Sequence, residues 1–160
     1  MTGATTHPLD ADRGALPHLT VAVVAKRGDR YLMVEEFAEG RAVFNQPAGH
    51  VECDETVMQA AVRETVEETA WQVSLKSLIG IYHYTAPANG VRYVRVCFAA
   101  HPEHEVDSAL DPAIKAAHWL SLEQLRALPL RSPLVLKVIE DFERGASYPL
   151  TLFAREAVDD

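Results

Sequence analysis

Apolar residues change their spacing several times along the chain, and each change marks an element. The first seventeen positions carry no apolar period and scatter Gly, Pro and Asp among polar residues, which predicts a loose arm. From Leu19 to Ala25 the chain becomes β-branched and apolar over a run too short for a typical helix. The turn signal Arg27-Gly28-Asp29 follows, and Arg30 to Glu35 reads as the second arm of a hairpin. A third strand is predicted over Arg41 to Asn45, and Pro47-Ala48-Gly49 breaks the pattern. The period then changes to that of a helix. Met58, Ala61, Val62, Thr65 and Thr69 fall on one stripe, predicting a helix from Glu55 to about Thr69 with Asp54 as its N-cap.

Two long strands are predicted next, Val73 to Tyr84 and Val91 to Ala100, joined by the turn-rich Pro87-Ala88-Asn89-Gly90. His101 to Asp111 reads as a charged loop and Ile114 to Leu120 as another strand. Ser121-Leu122-Glu123-Gln124 opens a short helix as a capping box. A last helix starts at Ser132-Pro133, with Pro at the first helical position, and stops at Gly145. Strands, helix, strands, helices is the order of an α+β domain, an α/β/α sandwich with a mixed sheet between helices. The arm covers 1–17, the single domain 18–153 and a C-terminal tail 154–160.

Composition narrows the partners. At 160 residues, 48% hydrophobic and 24% charged, the chain has the size and balance of one globular domain. A net charge of −8 disfavours nucleic acid or an anionic membrane as partner. It would also repel a phosphorylated substrate unless a divalent cation intervened. Two cysteines, Cys53 and Cys97, make no disulfide framework. No apolar run has the length of a membrane span, and the N-terminus lacks the apolar core of a signal peptide. A cytoplasmic protein is the expectation.

The chemistry concentrates between Gly49 and Trp71. On a helix, Glu64, Glu67 and Glu68 stand three and four residues apart, so all three carboxylates share a face. Like charges at that spacing oppose the helix by about 0.2–0.5 kcal/mol per pair in solvent, and by more along a cleft. Mg²⁺ or Mn²⁺ would reverse the sign, because hard cations take carboxylate oxygens and bridge to phosphates. Arg63 flanks this face and can meet Glu67 one turn on or reach back to Glu55. The bend at Pro47-Ala48-Gly49 offers bare carbonyls as further oxygen ligands. A solvated acidic helix face would explain a lone Glu-x-x-Glu-Glu. It does not explain Gly49, Glu55, Arg63-Glu64 and Glu67-Glu68 together, six fixed positions that chance supplies about once in a hundred thousand such chains.

This stretch resembles the signature box of the Nudix hydrolases. The family's box has an aliphatic residue after Arg-Glu and closes on Gly plus an aliphatic residue, where this chain has Thr65, Ala70 and Trp71. Ala70 in place of Gly predicts a helix end without a left-handed residue. The resemblance implies that Glu64, Glu67, Glu68 and the Ala48 carbonyl bind the metal. It makes Glu64 or Glu68 the catalytic base and gives Gly49, Glu55 and Arg63 the support of the box. Water then attacks phosphorus in line, cutting a diphosphate linkage.

Asn45-Gln46-Pro47-Ala48-Gly49-His50, Asp54-Glu55-Thr56, Leu130-Arg131-Ser132-Pro133-Leu134-Val135 and Tyr148-Pro149-Leu150 are similar to the phosphatase NudJ subgroup of the family. That similarity implies release of orthophosphate from nucleoside di- and triphosphates, and from thiamine pyrophosphate and hydroxymethylpyrimidine pyrophosphate. The partner is then a small phosphorylated metabolite, and the protein a monomer or homodimer. One alternative is a pyrophosphohydrolase that splits nucleotide sugars or dinucleotides into two monophosphates. Another is a non-catalytic nucleotide-binding module, disfavoured because every acidic box position is filled.

Around the box, Asn45 and Gln46 are candidates to read a base or orient the bend, and Tyr84 to stack on a ring. Arg92 and Arg95 point to opposite faces of their strand, and Arg95 is the choice for the cleft. Many members of the family supply a further acid from the loop before the Trp-bearing strand. Asp111 is nearest, with Glu103, Glu105 and Asp107 in reach. His101-x-x-His104 with two distant cysteines is a poor zinc pattern. A phosphate-cradling loop ending in Lys-Ser/Thr and a Gly-x-Ser-x-Gly elbow are both absent from the sequence.

Overall fold

The computed structural model describes residues 16–154. The arm expected over 1–17 lies, up to residue 15, outside the described residues, as does the tail from 155. Seven strands and three helices follow in order: β1 His18–Arg27, β2 Arg30–Ala38, β3 Arg41–Asn45, β4 Ala48–His50, α1 Val57–Thr69, β5 Trp71–Thr85, β6 Arg92–Glu105, β7 Ile114–Ser121, α2 Leu122–Ala127 and α3 Leu134–Glu143, with a 3-10 turn at Leu150–Leu152.

The strands form two limbs, β4-β1-β6-β5 and β3-β2-β7. They are joined through the base of the β1–β2 hairpin, where Lys26 faces Tyr31 and Arg27 faces Arg30. β1 runs parallel to β6 and antiparallel to β2 and β4, so the sheet is mixed. Alternation along β1 sends Val21, Val23 and Ala25 to one side and Ala22 and Val24 to the other. The first set packs under α1 with Ala60, Ala61, Val96 and Phe98. The second packs under α3 with Cys97, Ala99, Val135, Val138 and Ile139. Helices therefore cover both faces, and the expected α/β/α sandwich is the observed architecture.

Several boundaries differ from the sequence reading. Thr56, not Asp54, caps α1, and the helix starts at Val57 rather than Glu55. The Thr56 hydroxyl accepts from Gln59 N (3.1 Å) and Gln59 Oε1 accepts from Thr56 N (2.8 Å). This Thr-x-x-Gln box satisfies two helix-end donors, where an aspartate cap would satisfy one. Pro133 stands at the N-cap of α3 instead of its first helical position. β6 continues to Glu105, because β5 runs from Trp71 and pairs Trp71 with Glu105 and Gln72 with His104. The charged loop shrinks to 106–113. Ala48–His50, read only as a bend, pairs with β1 as a short strand.

Ala70 ends α1 with φ of 57°, the left-handed conformation that the missing glycine argued against. Its N–H donates to Val66 O (2.8 Å), and its own carbonyl accepts from Val106 N (2.8 Å). The tertiary bond from Val106, with the last bond of the helix, holds a conformation that costs a non-glycine residue about 1–2 kcal/mol. Ala70→Gly is therefore expected to stabilise the fold by about 1 kcal/mol, a rise of about 2–4 °C in Tm by calorimetry, with turnover unchanged.

Candidate active site

Glycine at position 49 lets α1 approach the sheet. A Cβ on Gly49 would overlap Glu64 Cδ and both carboxylate oxygens, so the Glu64 side chain lies directly on the β4 backbone. One strand position away, the register decides what Ala48 offers. Val23 N donates to Pro47 O (3.0 Å) and Val51 N to Leu19 O (3.1 Å), which makes 47, 49 and 51 the positions that bond β1. In an antiparallel ladder the intervening residue turns its N–H and C=O the other way. Ala48 does so, and its N–H donates to Glu68 Oε2 (3.2 Å). The Ala48 carbonyl shares that free edge with Glu68.

Burial drives the electrostatics of this edge. Glu68 is pushed up to about 8, first by desolvation and then by the negative charge of Glu64, Glu36 and Asp111; the bond from Ala48 opposes the shift. Glu64 is raised too, again chiefly by desolvation, with Arg63 opposing. Glu67 is more exposed, and its carboxylate meets Arg63 Nη1 at 3.0 Å. Both routes left open for Arg63 are thus taken. Its Nε and Nη2 hold the Glu55 carboxylate at 2.8 and 2.6 Å, its Nη2 also reaches His50 O (3.0 Å), and its Nη1 bridges Glu64 (2.9 Å) and Glu67. The guanidinium holds Glu55 at about 2. Glu55 also accepts from Glu52 N (3.0 Å), which fixes the loop ahead of the helix.

Among the described residues no three acidic, His or Cys side chains already converge on one point. The donors nonetheless fit a hard cation: carboxylates and one free carbonyl, all oxygen, on a buried edge where their negative charge is unfavourable alone.

Asp111 lies near enough to this edge for its charge to act on Glu68. Its backbone N–H donates to Glu67 O (2.8 Å), docking the loop on the end of α1, and Ala113 N caps its Oδ1 (2.8 Å). Glu36 escaped the sequence reading because β2 was expected to stop at Glu35; it lies beside Glu68, partnered by Arg131 Nε at 3.8 Å. Asn45 and Gln46 are both buried. Gln46 Nε2 donates to Val135 O (2.7 Å), which aims its Oε1 away as an unpartnered acceptor, and Asn45 Oδ1 is likewise unpartnered. Arg95 and Tyr84 are half-buried, and Arg92 is exposed.

The same box and fold recur elsewhere. A family model described as NUDIX domain matches residues 16–142. This chain belongs to the Nudix hydrolase family. The phosphatase NudJ of Shigella boydii serotype 4 (strain Sb227) is 39% identical over 138 residues, spanning 85% of this chain and 90% of that protein. The phosphatase NudJ of Escherichia coli strain K12 gives the same figures. Among solved structures, a NUDIX hydrolase from Nitrosomonas europaea superposes with a TM-score of 0.86 at 40% identity, covering 88% of this chain and 98% of that one. As a Nudix hydrolase the protein acts on phosphorus-containing acid anhydrides, chemistry for which the family generally uses divalent metal ions.

No helix among the described residues is long and apolar enough to cross a membrane. Cys53 is exposed and Cys97 buried, and both are free thiols.

Proposed function

We propose that this Nudix hydrolase is a NudJ-like phosphatase that releases orthophosphate from small di- and triphosphates with Mg²⁺ or Mn²⁺ at the β4 edge. The substrate class includes nucleoside di- and triphosphates and the pyrophosphates of thiamine and hydroxymethylpyrimidine. The observation that carries the reading is the desolvated Glu64–Glu68 pair against Ala48, joined to 39% identity with proteins named phosphatase NudJ over 85% of the chain.

In this reading Glu64, Glu67, Glu68 and the Ala48 carbonyl hold the cation. When bound, the cation neutralises phosphate charge and makes water acidic enough to lose a proton near neutral pH. The remaining work belongs to the protein. Glu64, whose carboxylate lies on the Gly49 backbone, takes the proton of the attacking water in this reading, with Glu68 as the other candidate. Arg63 and Glu55 hold the loop and the start of α1 in one geometry. Asp111 and Glu36 add negative charge beside Glu68, which favours a second positive group in the substrate complex.

Product analysis tests this directly. Incubated with a nucleoside diphosphate or thiamine pyrophosphate and Mg²⁺, the protein is expected to yield orthophosphate and the monophosphate. Turnover of ADP-ribose to two monophosphates, with no orthophosphate from the diphosphates, would overturn the phosphatase assignment in favour of a pyrophosphohydrolase.

A further inference from the structure

Away from the carboxylate edge, the sheet face under α3 carries unpartnered polar groups. In register, His50, Thr20, Arg95 and Tyr82 occupy adjacent positions on β4, β1, β6 and β5, so their side chains form one row on one face. Two residues along, the next row is Ala48, Ala22, Cys97 and Gly80. These side chains are small, and Ala22 and Cys97 are buried in the cluster beneath α3. Tyr82 covers one end of this row: its ring lies over Gly80, where a Cβ would meet it at 3.1–3.2 Å, and its hydroxyl donates to Asp141 Oδ2 (2.8 Å). The other end is Ala48, the residue bonded to Glu68.

Within this row Arg95 Nε and Nη1 are buried with no hydrogen-bond partner, and the neighbouring Thr20 hydroxyl, in a residue only 4% exposed, has none either. Two buried N–H-bearing nitrogens of a charged group without acceptors are costly, and folds keep buried polar groups paired. Groups that can donate, gathered without acceptors, call for an anion. On the far side of this row, His18 and Tyr93 stack edge to face at 5.5 Å, and Tyr84 pairs with Tyr93 across the strands. The order along the face is thus the small-residue row that ends at Ala48 on the carboxylate edge, then the unpartnered donors, then aromatic rings, at about 7 Å per row.

Resting on the reading of the carboxylate edge as the point of cleavage, we propose that Arg95 and Thr20 form the subsite for the phosphate that remains on the organic product. The aromatic row beyond them receives the organic moiety. Orthophosphate departs from the carboxylate edge, and the monophosphate is the product held longer.

The test is binding of adenosine and cytidine monophosphates, with orthophosphate as control, by titration calorimetry in EDTA and as competitive inhibitors during turnover with Mg²⁺. Arg95→Met is expected to weaken monophosphate binding at least ten-fold and Thr20→Val several-fold, with orthophosphate inhibition unchanged. Tm of both variants is expected to stay at or above that of the unmodified protein, since each removes an unsatisfied buried group. Unchanged monophosphate affinity in both variants would overturn the subsite, as would an unmodified protein that binds no monophosphate at millimolar concentration. A lower Tm with unchanged affinity would assign Arg95 a structural role. Monophosphate affinity does not depend on which anhydride bond is cut, so failure of the phosphatase reading in product analysis stays distinguishable. Thr20→Val, a near-isosteric change, keeps the test open if Arg95→Met does not fold.

Discussion

Glu68→Gln is expected to lower kcat by about 10²–10⁴-fold while making the metal-free protein more stable at pH 8. The two effects have one cause. Glu68 is held at about 8 when folded, whereas an exposed glutamate in the unfolded chain titrates near 4.3. A carboxyl raised on folding leaves stability intact below the unfolded value. It then removes stability as pH rises towards the folded value, because the unfolded chain loses its proton first. In EDTA the unmodified protein is therefore expected to lose Tm between about pH 4.5 and 8, and Glu68→Gln to flatten that decline. Glutamine keeps the shape and an acceptor for the Ala48 N–H without the buried charge. Adding Mg²⁺ should restore Tm at pH 8 in the unmodified protein and much less in the variant. Equal pH dependence of the two proteins in EDTA would show that Glu68 is not the desolvated group; full activity in the variant would remove it from the site.

The same residue shows where sequence reading succeeds and where it stops. That Glu64, Glu67 and Glu68 share a face follows from helical spacing, and so does the reach of Arg63 to Glu67; the pairing of Arg63 with Glu55, which precedes the helix, rested on the resemblance. The succession of elements and the layers were legible because apolar period and turn residues agree along most of the chain. What the spacing could not supply is the partner across the cleft. Glu36 raises Glu68 from β2, more than thirty residues earlier, and no local signal links them. Ala48–His50 is too short for any strand period, yet its pairing with β1 frees the Ala48 backbone for Glu68. Thr20 in a β-branched run looks like core, and only the register with Arg95 shows two unpartnered groups side by side. Ala70 was misjudged because local preference disfavours φ of 57°, and the tertiary bond from Val106 lies outside any local window. The Thr56-x-x-Gln59 box was the avoidable miss: the pattern stands in the sequence two residues after Asp54.

Gly49→Ala is expected to cost at least about 10²-fold in kcat with little loss of stability. The reason is what the new methyl group would meet. Its overlap is with the carboxylate end of Glu64, the far end of a flexible side chain, rather than with backbone. Gly49 has no positive φ to protect, so alanine suits its extended backbone, and the conflict is relieved by swinging Glu64 off β4. Arg63 Nη1 loses its 2.9 Å bond to Glu64 Oε1 when the carboxylate moves, but it keeps Glu67, and Nε and Nη2 stay on Glu55. The fold survives; the position of Glu64 does not. A double-mutant cycle separates this from any other effect of the methyl group. Glu64→Ala removes the obstructing side chain, so Gly49→Ala introduced into that background should change neither kcat nor Tm further. Additive losses would mean that Gly49 acts through something other than Glu64, and that close contact between the β4 backbone and the carboxylate is not what positions it.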